Sequence, residues 1–230
     1  MSENSNEELP SSELGTREYW DKAYSLEIEN YKDHGDVGEI WFGEESGTKV
    51  VRYIEDNLKL FKEDDRIMDL GCGNGMLLLS LARKGFRKLT GIDYSQKAID
   101  LAREVLDNEN YFEVELLAGD IVDSAVLGLS IFKFKLAHDK GTYDAISLNQ
   151  DNPKEKRQKY IENVHNILLD DSYLILTSCN WTKDEIIEHF TNYFEFKEEI
   201  PSKKFLFGGQ TGNTITQLIF TKIVREQQCA

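Results

Sequence analysis

Short apolar runs and amphipathic stretches alternate along the chain from about residue 48 onward. Val50, Val51, Ile54 and Leu58 recur at helical spacing, which predicts an amphipathic helix before the first strand. Strand-length apolar runs follow at 66–70, 89–93, 114–118, 131–138, 172–178, 194–200 and 215–223. Because helix-like stretches separate these runs, the pattern predicts an α/β fold: a doubly wound, Rossmann-like sheet of seven strands, mostly parallel, with helices on both faces.

The ends of several predicted helices carry residues with capping chemistry. Ser95 stands where its hydroxyl caps the helix that follows the second strand. Gly85 is predicted to terminate the helix before that strand. Asn152 is predicted to cap the helix that begins at the next residue, and residues 182–185 have the pattern of a capping box.

The chain has 230 residues, which suits one domain with a sizeable core, and no linker divides it. We predict a single domain over residues 14–224, whose first part, 14–47, forms a lid or substrate-binding segment. Residues 1–13 and 225–230 are predicted to be tails, the first of them acidic and disordered.

Charge and cysteine content narrow the classes of function. A net charge of −15 disfavours direct binding to nucleic acid and fits a basic protein partner or a small molecule. No apolar run reaches the roughly 18 residues that a membrane span needs, and the acidic N-terminus lacks the features of a secretory signal. Cys72, Cys179 and Cys229 are too scattered for a disulfide framework or a zinc site. We therefore expect a protein of the cytoplasm or the nucleus that binds no membrane. We also expect it to be a monomer.

A glycine-rich turn follows the first predicted strand. Gly71, Gly73 and Gly75 permit a tight turn on which a ligand can lie directly against the backbone, and Asp69 precedes them. The spacing is D-x-G-x-G-x-G, whereas the dinucleotide fingerprint G-x-G-x-x-G would place its third glycine at Met76. Ligands of open α/β sheets bind beyond the carboxyl ends of the strands, so we expect this turn to form the floor of a ligand site.

Two further aspartates end the second and third predicted strands. Asp93 is positioned to accept hydrogen bonds from both hydroxyls of a ribose, and Asp120 to accept one from an adenine amino group. Together with Asp69 they surround a turn that has no lysine or arginine nearby in the sequence. Such a site repels a pyrophosphate but tolerates a ligand with a sulfonium and an ammonium group, which favours S-adenosylmethionine over a nicotinamide dinucleotide.

Several segments of the chain resemble known methyltransferase motifs. Residues 69–75 (DLGCGNG), 91–95 (GIDYS) and 119–121 (GDI) resemble motif I, the acidic post-I motif and motif II of the class I, seven-strand methyltransferases. Further segments resemble the eukaryotic elongation factor 1-alpha lysine methyltransferase 2 family, to which the fungal elongation factor methyltransferase 4 is related: 14–21 (LGTREYWD), 35–44 (GDVGEIWFGE), 139–145 (DKGTYDA), 177–182 (TSCNWT) and 207–209 (FGG).

This resemblance runs from about residue 14 to 223, nearly the whole chain. It implies transfer of a methyl group from S-adenosylmethionine to a lysine of translation elongation factor 1-alpha in the cytosol. It also implies a strand order of 3-2-1-4-5-7-6, with the seventh strand antiparallel to the others.

From these observations we predict the residues of the site. The cofactor is expected to contact Trp41, Asp69, Gly71, Cys72, Gly73, Asn74, Gly75, Asp93, Tyr94, Asp120 and Ile121. The substrate is expected to contact Phe42, Lys140, Thr142, Asn180 and Trp181. Asp139 is expected to orient the ammonium group of the acceptor lysine. No group of His, Cys and carboxylate residues has the spacing of a metal site.

Each residue on the acceptor side also has a structural interpretation. Asp139 alternatively caps the segment after the fourth strand. Trp41 and Phe42 either cover the cofactor and contact the methylated lysine by cation–π attraction, or form a hydrophobic plug. Asn180 and Trp181 either line the acceptor pocket or mark the entry of the next helix.

Other functions share parts of this pattern. A methyltransferase for a small-molecule amine or hydroxyl would have the same cofactor site and a closed acceptor pocket. A catalytically silent nucleoside-binding scaffold would bind the nucleoside without transferring a methyl group. A dehydrogenase is disfavoured by the glycine spacing and by the charge around the turn.

Overall fold

A computed structural model describes residues 8–57, 62, 64–123, 125, 128, 132–201, 204–207, 210–213 and 215–224. Seven of its strands form one mixed sheet in the order β3-β2-β1-β4-β5-β9-β6. They are β1 Ile67–Leu70, β2 Leu89–Asp93, β3 Glu115–Ala118, β4 Phe134–Lys140, β5 Leu168–Ser178, β6 Phe194–Glu199 and β9 Thr216–Lys222. Neighbours from β3 to β5 pair in parallel, and β9 is antiparallel to both β5 and β6. The predicted fold class and strand order are therefore confirmed.

Helices cover both faces of this sheet. They are α1 Arg17–His34, α2 Gly43–Asp56, α3 Met76–Arg83, α4 Gln96–Asn108, α5 Thr142–Ser147, α6 Pro153–Ile167 and α7 Lys183–Phe190, and a short 3-10 helix, Glu13–Gly15, precedes α1. Successive side chains of β1 point to opposite faces: Ile67 joins the core formed with α2, α3 and α4, and Met68 joins the core formed with α5, α6 and α7. The helix Val50–Ile54 predicted from spacing is part of α2, whereas Leu58 lies outside the described residues.

The capping predictions are confirmed at three of four helix ends. The Ser95 hydroxyl accepts a hydrogen bond from the Ala98 N–H, and Thr182 and Glu185 form the capping box. Gly85 follows α3 with a φ of +94°, the left-handed conformation that ends helices. The helix start predicted at Asn152 is also confirmed, because α6 begins at Pro153, but the Asn152 side chain does not cap it. This residue has a φ of +50° rather than the extended backbone of an N-cap, and its side chain makes no capping hydrogen bond.

Three segments differ from the sequence-based expectation. The fourth strand continues through Asp139 and Lys140, beyond its predicted end at residue 138. Ile131, its predicted start, lies outside the described residues. No strand was predicted between residues 200 and 215, but strands β7 Lys204–Phe207 and β8 Gln210–Asn213 form a separate antiparallel pair there. Gly208 and Gly209 are outside the described residues.

The N-terminal tail is the third difference. Residues 8–13 were predicted to be disordered, but the structure anchors them to the domain. The two terminal nitrogens of the Arg157 guanidinium donate to the two carboxylate oxygens of Glu8, each at 2.8 Å. The Ser12 N–H also donates to the Leu148 carbonyl at 3.0 Å. The domain therefore includes residues on the N-terminal side of 14. Among the described residues, no helix is long and apolar enough to cross a membrane.

Candidate cofactor and acceptor site

A cleft of about 1340 Å³, including its open mouth, lies at the carboxyl edge of the parallel strands. The glycine-rich turn forms its floor, because Gly71 and Gly73 adopt positive φ and both line the cleft. A Cβ on Gly71 would come within 1.9 Å of Thr142 Oγ1, and one on Gly73 within 2.7 Å of the Tyr24 hydroxyl oxygen. The turn therefore requires glycine at both positions and leaves its backbone open to a ligand.

The third glycine of the turn has a different role. Gly75 also has a positive φ, of +75°, but it begins α3 and does not line the cleft. A Cβ there would come within 3.0 Å of Ala102 Cβ on α4. Gly75 thus allows α3 to pack closely against α4 instead of contacting a ligand.

Asp93 ends β2 on the wall of the cleft. Its Oδ2 accepts the Gly73 N–H at 3.1 Å and its Oδ1 accepts the Ser95 N–H at 2.9 Å, so the carboxylate is fixed in direction while each oxygen keeps a lone pair. Burial raises the pKa of Asp93 to about 6, although these two hydrogen bonds oppose the shift. The geometry fits the predicted acceptor for two ribose hydroxyls.

Asp120 and Ile121 follow β3 and line the same wall, together with Tyr94. Asp120 is exposed, and its Oδ1 accepts the Val122 N–H at 2.9 Å. The Tyr94 hydroxyl donates to the Thr16 carbonyl at 3.3 Å, which ties this wall to the start of α1. These residues lie together as predicted, in the place expected for an adenosyl group.

The N-terminal segment closes the cleft from above. Trp20, Tyr24 and Trp41 line it, with the Trp20 ring 4.9 Å from that of Trp41 and 5.9 Å from that of Tyr24, centroid to centroid. The side-chain N–H₂ of Asn74, in the glycine turn, donates to the Val37 carbonyl at 2.9 Å. Cys72 is buried beneath this cover, and burial raises the pKa of its thiol, which disfavours a nucleophilic role. Sequence analysis predicted Asn74 and Trp41 but missed Trp20 and Tyr24.

Asp139 does not face the cleft. It is fully buried, and its carboxylate accepts hydrogen bonds from the Thr142 and Tyr143 N–H groups, each at 3.0 Å, and from the Tyr160 hydroxyl. Burial raises the pKa of Asp139 to about 8. Its side chain fixes the start of α5, which is the structural alternative, so direct contact with an incoming ammonium group does not follow from this geometry.

The side chains of two more residues that were predicted to contact a ligand also point into the protein. Asp69 is buried below the turn, where its Oδ1 lies 2.8 Å from Nδ1 of His138, its register neighbour on β4. Trp181 is buried, and its ring N–H donates to the Ser147 hydroxyl at 3.0 Å. Neither residue lines the cleft. Each supports the wall from behind.

Phe42, Thr142 and Asn180, which were predicted to contact the substrate, line the cleft, and so does Asp144, which sequence analysis did not single out. Asp144 lies on α5 and is buried. Its Oδ1 accepts the Ser178 hydroxyl at 2.5 Å and its Oδ2 accepts the Cys179 N–H at 2.8 Å. The family-like segment 139–145 contains two aspartates, Asp139 and Asp144, and only the fold reveals which of them lines the cleft.

The cleft also contains cationic side chains, contrary to the expectation of a site without them. Lys140 and Lys156 both line it. The ammonium group of Lys140 donates to the Trp41 carbonyl at 2.9 Å, and burial lowers its pKa. That of Lys156 donates to Asn149 Oδ1 at 2.6 Å. Both lysines are remote in sequence from the glycine turn, which is why the local charge argument missed them, and both hold protein groups in place.

Comparison with known proteins agrees with this geometry. Residues 61–228 match the family model described as a methyltransferase domain. The chain is 43% identical to EEF1A lysine methyltransferase 2 of Danio rerio, an alignment that covers 94% of this chain and 90% of the relative. The human protein of the same name is 42% identical, with 94% and 89% covered. Protein-lysine N-methyltransferase EFM4 of Saccharomyces cerevisiae is 34% identical, with 94% and 97% covered. The chain belongs to this methyltransferase family.

The fold agrees with that assignment. A crystal structure of a TehB-like SAM-dependent methyltransferase from Corynebacterium glutamicum superposes with a TM-score of 0.61 at 20% identity, covering 90% of this chain and 100% of that chain. Among the described residues of this chain, no group of three or more His, Cys, Asp or Glu side chains is arranged to hold a metal ion.

Proposed function

We propose that this chain is a protein-lysine N-methyltransferase that transfers a methyl group from S-adenosylmethionine to a lysine of translation elongation factor 1-alpha. The observation that carries the proposal is the similarity, over nearly the whole chain, to EEF1A lysine methyltransferase 2 and to EFM4. The acidic chain, with a net charge of −15, is also suited to a basic protein partner. Such an acceptor is a component of translation, so we expect the enzyme to act in the cytoplasm.

The residues of the cleft fit S-adenosylmethionine. The open backbone at Gly71 and Gly73 would support its amino-acid portion, Asp93 would accept its ribose hydroxyls, and Asp120 would accept its adenine amino group. When bound, this cofactor supplies an electrophilic methyl group on a sulfonium centre. The carboxylates of Asp93 and Asp120 in the wall favour a ligand that carries positive charge.

The acceptor side of the cleft is suited to preparing a lysine for this reaction. A lysine amine has a reference pKa of about 10.4 and must lose its proton before it attacks. The rings of Trp41 and Phe42 form an apolar wall that excludes water and lowers the pKa of an amine placed against it. The backbone of this wall is held by Lys140, whose ammonium group donates to the Trp41 carbonyl. The chain thus aligns and desolvates the amine, which is the main requirement of an in-line displacement.

Methylation of purified elongation factor 1-alpha, read by mass spectrometry of its peptides, tests the proposal. We expect one lysine to gain mass in multiples of one methyl group when the chain and S-adenosylmethionine are both present. An Asp93→Ala variant, which lacks the ribose acceptor, is the control and should leave the substrate unmodified. If the wild-type chain binds the cofactor but methylates only molecules of a small-molecule extract, the protein substrate is wrong and the cofactor assignment stands.

A further inference from the structure

The order of strands along the cleft separates a cofactor side from an acceptor side. Asp120, Asp93 and Gly71 follow β3, β2 and β1, while Thr142 and Asn180 follow β4 and β5. Adjacent strands lie about 4.8 Å apart, so the residues after β5 stand about 10 Å from the glycine turn, on the side opposite the ribose acceptor. A lysine that enters the cleft beside the cofactor must therefore reach the region between α5 and the end of β5.

The carboxylates that line the cleft among the described residues are those of Glu39, Asp93, Asp120 and Asp144. Asp93 and Asp120 are on the cofactor side, and Glu39 is an exposed residue of the N-terminal cover. Asp144 alone of these four lies on α5, next to the residues that follow β5. Asp139, on the neighbouring strand, is fully buried away from the cleft.

Asp144 is held in one orientation by donors from behind. The Ser178 hydroxyl donates to its Oδ1 at 2.5 Å, and the Cys179 N–H donates to its Oδ2 at 2.8 Å. Both donors favour the ionised carboxylate, although burial raises the pKa of Asp144. The Cys179 thiol and the Asn180 N–H also hydrogen-bond to this carboxylate and favour its ionised form. A buried carboxylate that is fixed in direction and lines the cleft suits a cation rather than a neutral hydroxyl.

We propose that Asp144 binds the ammonium group of the acceptor lysine and positions its nitrogen between the Trp41–Phe42 wall and Asn180. The inference rests on the proposed lysine methyltransferase function and names the residue that makes the site selective for an amine. The carboxylate receives the lysine while it is protonated and orients the nitrogen. After one proton leaves to solvent, the nitrogen lone pair forms the N–CH₃ bond while the S–CH₃ bond of the sulfonium breaks and its electron pair stays on sulfur. The positive charge thereby moves to nitrogen, where the same carboxylate stabilises it.

The test compares Asp144→Asn with Ser178→Ala. The first removes the charge and nearly keeps the shape. The second keeps the charge but removes a hydroxyl that donates to Asp144 and accepts from the Asn180 and Trp181 N–H groups. We expect Asp144→Asn to lower kcat/KM for elongation factor 1-alpha at least tenfold, with the Kd for S-adenosylmethionine within threefold of wild type. A carboxylate beside an ammonium group raises its pKa by about 1–3 units. The midpoint of the rise of kcat with pH should therefore move down by at least about one unit in Asp144→Asn and stay in place in Ser178→Ala.

A purely structural role predicts a different result. In that case both variants lose activity to a similar degree through the displaced Cys179 segment, and neither moves the pH midpoint, which overturns the proposal. If Asp144→Asn fails to fold, a measurement on the wild-type chain decides the question. n-Butylamine, which mimics a lysine side chain, should inhibit methylation of elongation factor 1-alpha at least tenfold more strongly than n-butanol, and equal inhibition contradicts the inference.

These outcomes separate the inference from the function on which it rests. A wild-type chain that leaves elongation factor 1-alpha unmethylated overturns the proposed function and the inference together. A wild-type chain that methylates it, combined with an unaltered pH profile and kcat/KM in Asp144→Asn, overturns the inference alone.

Discussion

Replacement of Asp93 by asparagine tests the cofactor site most directly. An amide keeps one acceptor and replaces the other with a donor, so one ribose hydrogen bond to a charged group is lost, which costs about 1.5–3 kcal/mol. This corresponds to a loss of about 10- to 150-fold in affinity for S-adenosylmethionine. In the wild-type chain the Gly73 and Ser95 N–H groups donate to the Asp93 carboxylate at 3.1 and 2.9 Å. In the variant the amide N–H₂ would face one of these donors and lose that hydrogen bond as well. The loss should therefore lie in the upper part of that range.

The pH dependence of binding provides a sharper test of the same residue. Burial raises the pKa of Asp93 to about 6 in the cofactor-free chain, and a cationic ligand with two hydroxyl donors favours the ionised form. Affinity should therefore be constant above pH 7 and fall on acidification, by about tenfold between pH 7 and pH 5. In Asp93→Asn this dependence should disappear.

Isothermal titration of S-adenosylmethionine at pH 5, 6, 7 and 8 measures both effects. Asp123→Asn is the matched control, because it removes one negative charge from an exposed position after β3 that does not line the cleft. Its affinity should stay within twofold of wild type at every pH. If the wild-type chain binds equally well at pH 5 and pH 7, or if Asp123→Asn reproduces the loss, the ionised Asp93 carboxylate is not the acceptor inferred here.

Three further predictions concern the walls of the site. Gly71→Ala should abolish measurable S-adenosylmethionine binding in titration calorimetry, because the added Cβ meets Thr142 Oγ1 at 1.9 Å in a left-handed backbone. Gly47→Ala should leave binding unchanged, because an added Cβ there has no atom within 4 Å. Asp139→Asn should lower the free energy of unfolding, measured by urea titration, by about 1–3 kcal/mol, because the N–H of Thr142 or of Tyr143 loses its acceptor. Cofactor affinity, measured where the variant is folded, should hardly change. Trp41→Ala should weaken cofactor binding with little change in melting temperature, because its ring is only half-buried; a collapse in stability would instead identify a hydrophobic plug.

Much of the fold was predictable because its signals are local. Short apolar runs marked the seven strands of the sheet, and helical spacing marked helices between them. The Ser95 cap and the capping box at Thr182 depend on residues within one helical turn. The anchoring of residues 8–13 was not predictable in this way. It depends on Glu8 meeting Arg157, which is 149 positions away, and nothing in the polar N-terminal sequence indicates that contact.

The residues of the site also fall into those that local sequence predicts and those that depend on distant contacts. The glycine turn, Asp93 and Asp120 follow from strand order and spacing, because ligands of such sheets bind beyond the carboxyl ends of their strands. Lys140 and Lys156 entered the cleft from distant segments, so an argument from charge near the turn could not include them. Their ammonium groups are bound to protein oxygens, and the carboxylates of the cofactor wall remain available to a cationic ligand.

A position at a strand end is not sufficient to place a carboxylate in the cleft. Asp69, Asp93 and Asp139 each lie within the last two residues of a parallel strand, but the donors nearest to each decide where its side chain points. Asp69 has His138 beside it in register, and Asp139 is taken up by the first N–H groups of α5 and by Tyr160. Asp93 meets two backbone donors at the rim and stays on the wall. The acceptor carboxylate must therefore be sought one helical turn beyond the strand, where Ser178 and Cys179 hold Asp144, and not at the strand end itself.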